Sequence, residues 1–209
     1  MAKEVVRMNT VHKDDQEIVD ILQLNIHNGP WIAGGAVLNW YNDTPVQSDI
    51  DIFCANEKQA KALLKRIKLS VSNYKCTVVY DTDNAITLDV IKYKPEESTA
   101  FTMVSLTPVV LKQWKLQIIK HKYYNSMQDI VDAFDISVCQ VATAGNEWVL
   151  GDTTARDIRE RNLRMIGDIR PSAVKRLLKY MAYGYRPVGG LIERFDNEKY
   201  FEFAKEYTF

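Results

Sequence analysis

Residues 31–53 read WIAGGAVLNWYNDTPVQSDIDIF, and the spacing inside that stretch sets the expected fold. Trp31, Ile32 and Ala33 predict a short buried strand. Gly34-Gly35 then lets the backbone turn sharply and come close to a ligand with no side chain in the way. A short helix follows, whose first amides and dipole favour phosphate. The turn Asn42-Asp43-Thr44-Pro45 leads into a second strand, Asp49 to Phe53, in which residues two apart share a face, so Asp49 and Asp51 point the same way. Paired carboxylates repel unless a cation lies between them, and hard oxygen ligands suit Mg²⁺ or Mn²⁺. Alone, a Gly-Gly pair is a turn and an Asp-x-Asp is a solvated strand edge. Joined in this order, with Ile50, Ile52 and Phe53 alternating against the acids, they describe one buried face and one face given to a metal-bound nucleotide.

The hydrophobic-Gly-Gly turn, short helix and Asp-x-Asp strand resemble the signature of the DNA polymerase β-like nucleotidyltransferases. Within that superfamily the stretch is similar to the head of bacterial-type CCA-adding enzymes and poly(A) polymerases, where a GGAVRD-like segment leads into DIDI or DIDV. Here the Arg-Asp is replaced by Leu38-Asn39. The resemblance implies a third acid on a neighbouring strand. Asp89, set singly in the apolar run AITLDVIKY, corresponds to it, because a buried carboxylate without a partner is costly. FDISVCQVA resembles the family's RDFTINAMA segment, with Asp135 at its Asp and Phe134 at its Arg.

Around the key stretch the periodicity predicts helices over Asp14 to Asn25 and Glu57 to Leu69, the latter capped by Asn56, with Ala60, Leu63, Leu64 and Ile67 on one face. Cys76 to Tyr80 and Ile86 to Tyr93 predict an antiparallel pair, and Trp114 to His121 reads as a further strand. A short strand is expected at Phe101 to Leu106, a Ser126-capped helix over MQDIVDAF, and a hairpin around Ala144-Gly145-Asn146. The order gives an α+β fold: a mixed β-sheet head with helices on one side over residues 1–150, then a small helical, neck-like region over 151–209.

In that second region helices are expected from Thr154 to Ile166 and from Pro171 to Tyr183, with Gly184 as the stop and a closing helix within Ile192 to Phe209. PSAVKRLLKYMAYGY resembles the family's neck helix, although the family's acid pair falls on Ile169-Arg170 and its base-reading Arg on Ala173. Between Thr154 and Pro187 nine Lys and Arg stand against three acids, a local excess of six, whereas the whole chain has 27 of each and a net charge of zero. Any attraction for phosphate is therefore local rather than global.

A hydrophobic content of 46% suffices for a core. Three scattered cysteines without a C-x-x-C predict neither disulfides nor zinc and suit a reducing cytoplasm. No apolar run reaches membrane-spanning or signal-peptide length, and nothing fixes an oligomeric state.

The resemblance implies a Mg²⁺-dependent transfer of NMP from an NTP to a hydroxyl, with release of pyrophosphate. Asp49, Asp51 and Asp89 would hold the metal. Gly34, Gly35 and Ser48 would line the triphosphate, and the face from Arg164 to Lys179, with Arg164 and Arg176 foremost, would supply charge to the nucleotide or the acceptor. The acceptor is an RNA 3′ end such as that of tRNA, a small molecule or a protein side chain. The rivals are a catalytically idle nucleotide- or RNA-binding relative and a non-enzymatic interaction protein.

Overall fold

A computed structural model describes residues 11–69, 73–94, 108–166 and 171–191. Seven strands form one mixed sheet: β1 (Trp31–Ala33), β2 (Ile50–Phe53), β3 (Tyr74–Asp81), β4 (Ala85–Tyr93), β5 (Val110–Ile119), β6 (Val141–Thr143) and β7 (Trp148–Leu150). Their order across the sheet is β3, β4, β5, β2, β1, β6, β7. Only β2 and β5 run parallel; the other neighbours are antiparallel. The segment expected at Phe101 to Leu106 and the one from Ile192 onward lie outside the described residues.

Strand alternation divides the sheet into two unlike faces. Ile32, Ile50, Ile52, Leu88, Leu116 and Ile118 turn one way, into a core shared with α1 (Gln16–Leu22), α2 (Gly35–Tyr41) and α3 (Glu57–Leu69). α3 has the bounds its periodicity predicts, buries Ala60, Leu63 and Ile67, and is capped where Asn56 accepts from the Gln59 amide at 2.9 Å. Each such fully buried aliphatic side chain contributes about 1.5–3 kcal/mol, enough for this stripe to seat the helix. α1 is shorter than its pattern suggests, ending where Gln23 turns left-handed. On the opposite face Trp31, Ala33 and Phe53 pack with Met127, Ile130 and Val131 of α4 (Met127–Ala133), whose Asp129 amide donates to Ser126 Oγ at 3.1 Å. That face, left open beyond α4, is where the polar alternates of β2, β5 and β4 emerge.

The helix expected from Thr154 to Ile166 stops early: α5 covers Thr154–Glu160, and Arg161 adopts a left-handed φ of 57°. The chain is then free to form β8 (Asn162–Leu163), which pairs in parallel with β9 (Arg186–Pro187) beyond α6 (Pro171–Ala182). Ala173, Leu177, Tyr180 and Tyr185 join the same core as the sheet, so α6 is packed against the head.

Candidate active site

Two compartments form one cleft, and they share Gly35, Ser48, Lys179 and Tyr180 as walls. The first holds Asp49, Asp51, Gln117, Asp135 and Arg176. The second holds Asn39, Asn42, Arg161, Tyr183 and Tyr185.

The acids reach the cleft for a simple reason of register. Asp51 pairs across β1 with Ala33 and across β5 with Gln117, so all three share the open face. Asp49 lies just before β2 and accepts from Gln117 Nε2 at 2.7 Å. Burial pushes the Asp51 carboxyl up to about 7, the negative charge of Asp49 adds to that, and the Lys179 ammonium opposes it. A carboxylate pair in that condition is a poor resting arrangement, one that a hard divalent ion would relieve by offsetting the repulsion and replacing the lost solvation. Among the described residues no group of three His, Cys, Asp or Glu is gathered closely enough to hold an ion.

Asp89 is not brought to the pair. It stands opposite Lys115 on β5 and Thr77 on β3, which places β5 between it and β2. It shares the open face, but the neighbour facing the acids is Gln117. Asp89 is absent from the cleft walls, and its buried Oδ1 has no hydrogen bond. The apolar run around it is explained by alternation: Leu88 and Val90 enter the core while Asp89 turns to the polar face.

Arg176 lines the cleft and is held by Asp135, its Nη2 donating to Oδ2 at 2.6 Å. Arg164 goes elsewhere. Its Nε donates to Asp157 Oδ2 at 3.2 Å, and Asp157 is fully buried, so the guanidinium is committed to a carboxylate that cannot do without it. Burial raises the Asp157 pKa, but Ser137, Thr153 and Arg164 outweigh it and hold the carboxyl below its ordinary value. Arg164→Glu is therefore expected to cost stability, about 3–5 kcal/mol, rather than nucleotide affinity; denaturant titration beside a nucleotide titration checks it.

The two glycines have different duties. Gly34 has φ 79° and ψ −138°, its N–H is spent on Val141 O at 2.9 Å, and a Cβ there would come within 3.2 Å of the Phe134 ring. Gly34→Ala is expected to destabilise the fold by about 1–3 kcal/mol, read as a lowered melting temperature. A Cβ on Gly35 would lie 3.6 Å from Ser48 Oγ and 3.7 Å from the Tyr180 hydroxyl, which is ordinary contact. Gly35→Ala should fold normally, whereas the extra methyls of Gly35→Val would reach into the cleft and weaken NTP binding in calorimetry.

Lys179, the end of the basic face expected from Arg164 onward, stands on the wall of both compartments, whereas Gln117, Tyr180 and the second compartment escaped the sequence reading as site residues. Gln117 did leave a trace, since it falls between Leu116 and Ile118 at the alternate position that must face away from the core. Tyr180 is buried under Gly35 and accepts from the Cys139 thiol at 3.1 Å. Burial holds its hydroxyl pKa up and pushes the thiol to about 11, so both stay neutral.

Solved structures similar to this one include a Thermotoga maritima CCA-adding enzyme complexed with tRNA, with a TM-score of 0.62 and 11% identity over 97% of this chain and 45% of that one. A CCA-adding enzyme in an apo form gives a TM-score of 0.60 and 14% identity over 94% of this chain and 45% of that one. The chain spans less than half the length of these enzymes, and at such identities the likeness shows a nucleotidyltransferase-like fold. No curated protein matches it. No helix among the described residues is long and apolar enough to cross a membrane. Residues 3–161 match the model described as Gad2, Gabija anti-defense 2 family protein, and with most of its length inside that match the chain belongs to the Gabija anti-defense 2 family.

Proposed function

We propose that this protein is a Mg²⁺- or Mn²⁺-dependent nucleotidyltransferase that moves NMP from an NTP to a hydroxyl acceptor and releases pyrophosphate, and that it serves in this way the anti-defense role its family is named for. The observation that carries the reading is the Asp49 and Asp51 pair at the floor of a cleft walled by Gly35, Ser48 and Lys179. The two carboxylates would hold the cation, which would neutralise phosphate charge and make the attacking hydroxyl more acidic. Gln117, by donating to Asp49 Oδ2, fixes the orientation of that carboxylate. Lys179 places a positive charge between the two compartments, where a triphosphate would pass from one to the other. Gly35 leaves room there for the phosphates, and Ser48 offers a hydroxyl. Arg176, pinned by Asp135 and still half-exposed, faces the acceptor side.

An RNA 3′ end is the acceptor this arrangement favours, because Arg176 and Lys179 both stand at the cleft on α6, within the locally basic segment. Arg176→Glu is then expected to weaken RNA binding and to flatten its salt dependence by about one unit of slope, while NTP affinity holds. An increase in the KM for NTP with unchanged RNA affinity would move Arg176 to the nucleotide instead.

Gln117 supports a second reading, in which the protein binds a nucleotide without transferring it. A neutral amide, not a third carboxylate, is the neighbour across β5 that faces the acid pair. One experiment separates the two: purified protein with Mg²⁺, each labelled NTP and bulk RNA. Pyrophosphate release with label entering the RNA supports transfer. Saturable NTP binding without either product supports the second reading.

A further inference from the structure

The second compartment has a polar pattern of its own. Its aromatic walls are Tyr180, Tyr183 and Tyr185, and the rings of Tyr180 meet those of the other two edge to face at 6.1 and 6.0 Å. Asn39 donates its Nδ2 to the Pro45 carbonyl at 3.2 Å, and Asn42 donates its Nδ2 to the Leu38 carbonyl at 2.8 Å. Each amide thus has its oxygen left as an acceptor. Arg161, which ends α5, carries only donors and lies with its guanidinium 5.2 Å over the Tyr185 ring. Tyr185 is 4% exposed, yet its buried hydroxyl makes no hydrogen bond. Burial pushes its pKa up, and the Arg161 charge and then Asn42 draw it part of the way back. A buried hydroxyl left in that state, at the wall of an open compartment, calls for a ligand.

We propose that this compartment takes a guanine base, so that the donor nucleotide is GTP. The inference rests on the nucleotidyltransferase reading and goes beyond it in naming the base. The compartment presents two amide oxygens and a cationic donor. Guanine alone among the four bases has an edge with two neighbouring donor groups, N1–H and the N2 amine, beside the acceptor O6. Adenine and cytosine bring a single amine that the two oxygens would have to share, and uracil a single N–H between two carbonyls, so guanine is the base that gives each of the three protein groups a partner atom of its own. The tyrosine walls give the base a surface to stack on. The shared walls Ser48 and Lys179 then put the triphosphate between the base and the acid pair, in the order a nucleotide requires.

The test is calorimetry of the whole chain with Mg²⁺ and non-hydrolysable analogues of GTP, ATP, CTP and UTP. The GTP analogue is expected to bind about ten-fold or more tightly than the others. Arg161→Asn, chosen because Asn tolerates the left-handed backbone at that position, should bring it to their level with an unchanged melting temperature. Asn42→Ala should weaken the GTP analogue likewise, at a melting temperature somewhat lowered by the loss of its bond to the Leu38 carbonyl. Equal affinity for all four analogues, or tightest binding of another base, would overturn the guanine assignment and leave the triphosphate reading standing. Absence of binding by any of them would overturn both. If 2′-deoxy-GTP loses affinity while the bases are indistinguishable, the amides read the ribose and the assignment to guanine fails.

Discussion

Asp51→Asn is expected to lower NMP transfer by about 10³-fold or more while making the metal-free protein more stable. The substitution keeps the shape of the side chain and removes a charge that the fold holds at a cost. Burial, and after it the Asp49 carboxylate, raise the Asp51 pKa to about 7. An acid whose folded pKa lies above its unfolded value makes the native state bind more protons, so stability declines as pH rises between roughly 4 and 7. The gain from Asn should be largest above pH 7, amount to at most a few kcal/mol, and vanish near pH 4. Added Mg²⁺ should raise the melting temperature of the parent and leave the variant's nearly where it was, since a ligand stabilises only the state it binds. Thermal melts at pH 5 and pH 8, with and without Mg²⁺, alongside a pyrophosphate assay, check all of this. A variant as active as the parent would remove Asp51 from the chemistry.

The two halves of that site differed in how far the sequence disclosed them. The gathering of Asp49, Asp51 and Gly35 at one cleft was legible because a strand, a turn and a strand lie within one stretch, and the period of two fixes which residues share a face; Gly34, read with them, serves the turn and lines neither compartment. Asp89 was misleading for the same reason: an acid in an apolar run satisfies alternation equally well beside a metal or on an open polar face, and only the strand order, with β5 interposed, decides between them. The expectation for Arg164 failed through Asp157, a buried carboxylate that drew the nearest guanidinium to itself. The tyrosine-lined compartment was out of reach altogether. It joins the 39–48 segment to the 161–185 segment, and no local periodicity encodes a contact over that distance.

Asp15→Ala is expected to cost about 3–5 kcal/mol, a fall in melting temperature of about 10 °C, although Asp15 lies far in sequence from the acids of the cleft. Its side chain is fully buried at the entry to α1. Oδ2 accepts from the Trp40 indole at 3.0 Å and from the Val46 amide at 2.9 Å; Oδ1 accepts from the Trp114 indole at 2.9 Å, with the Lys112 ammonium at 3.3 Å. Alanine would leave these donors buried and unpaired, which costs more than the bonds themselves contribute. Burial alone would raise the pKa of this acid, but the donors and Lys112 outweigh it, and the folded value lies below the ordinary one. For a depressed acid the stability is fully present above the unfolded pKa, about 3.9, and is lost as pH falls through the lower folded value. The difference between parent and variant should therefore be constant from pH 8 to about pH 5 and shrink in stronger acid. The same carboxylate ties α1 to α2, to β5 and to the segment that delivers Ser48 and Asp49. At a temperature where the variant is still folded, its KM for NTP should rise as that segment loosens at Val46. Denaturant titrations across pH, paired with nucleotide calorimetry, measure both effects. A variant of parental stability would show that the four contacts do not hold the cleft in place.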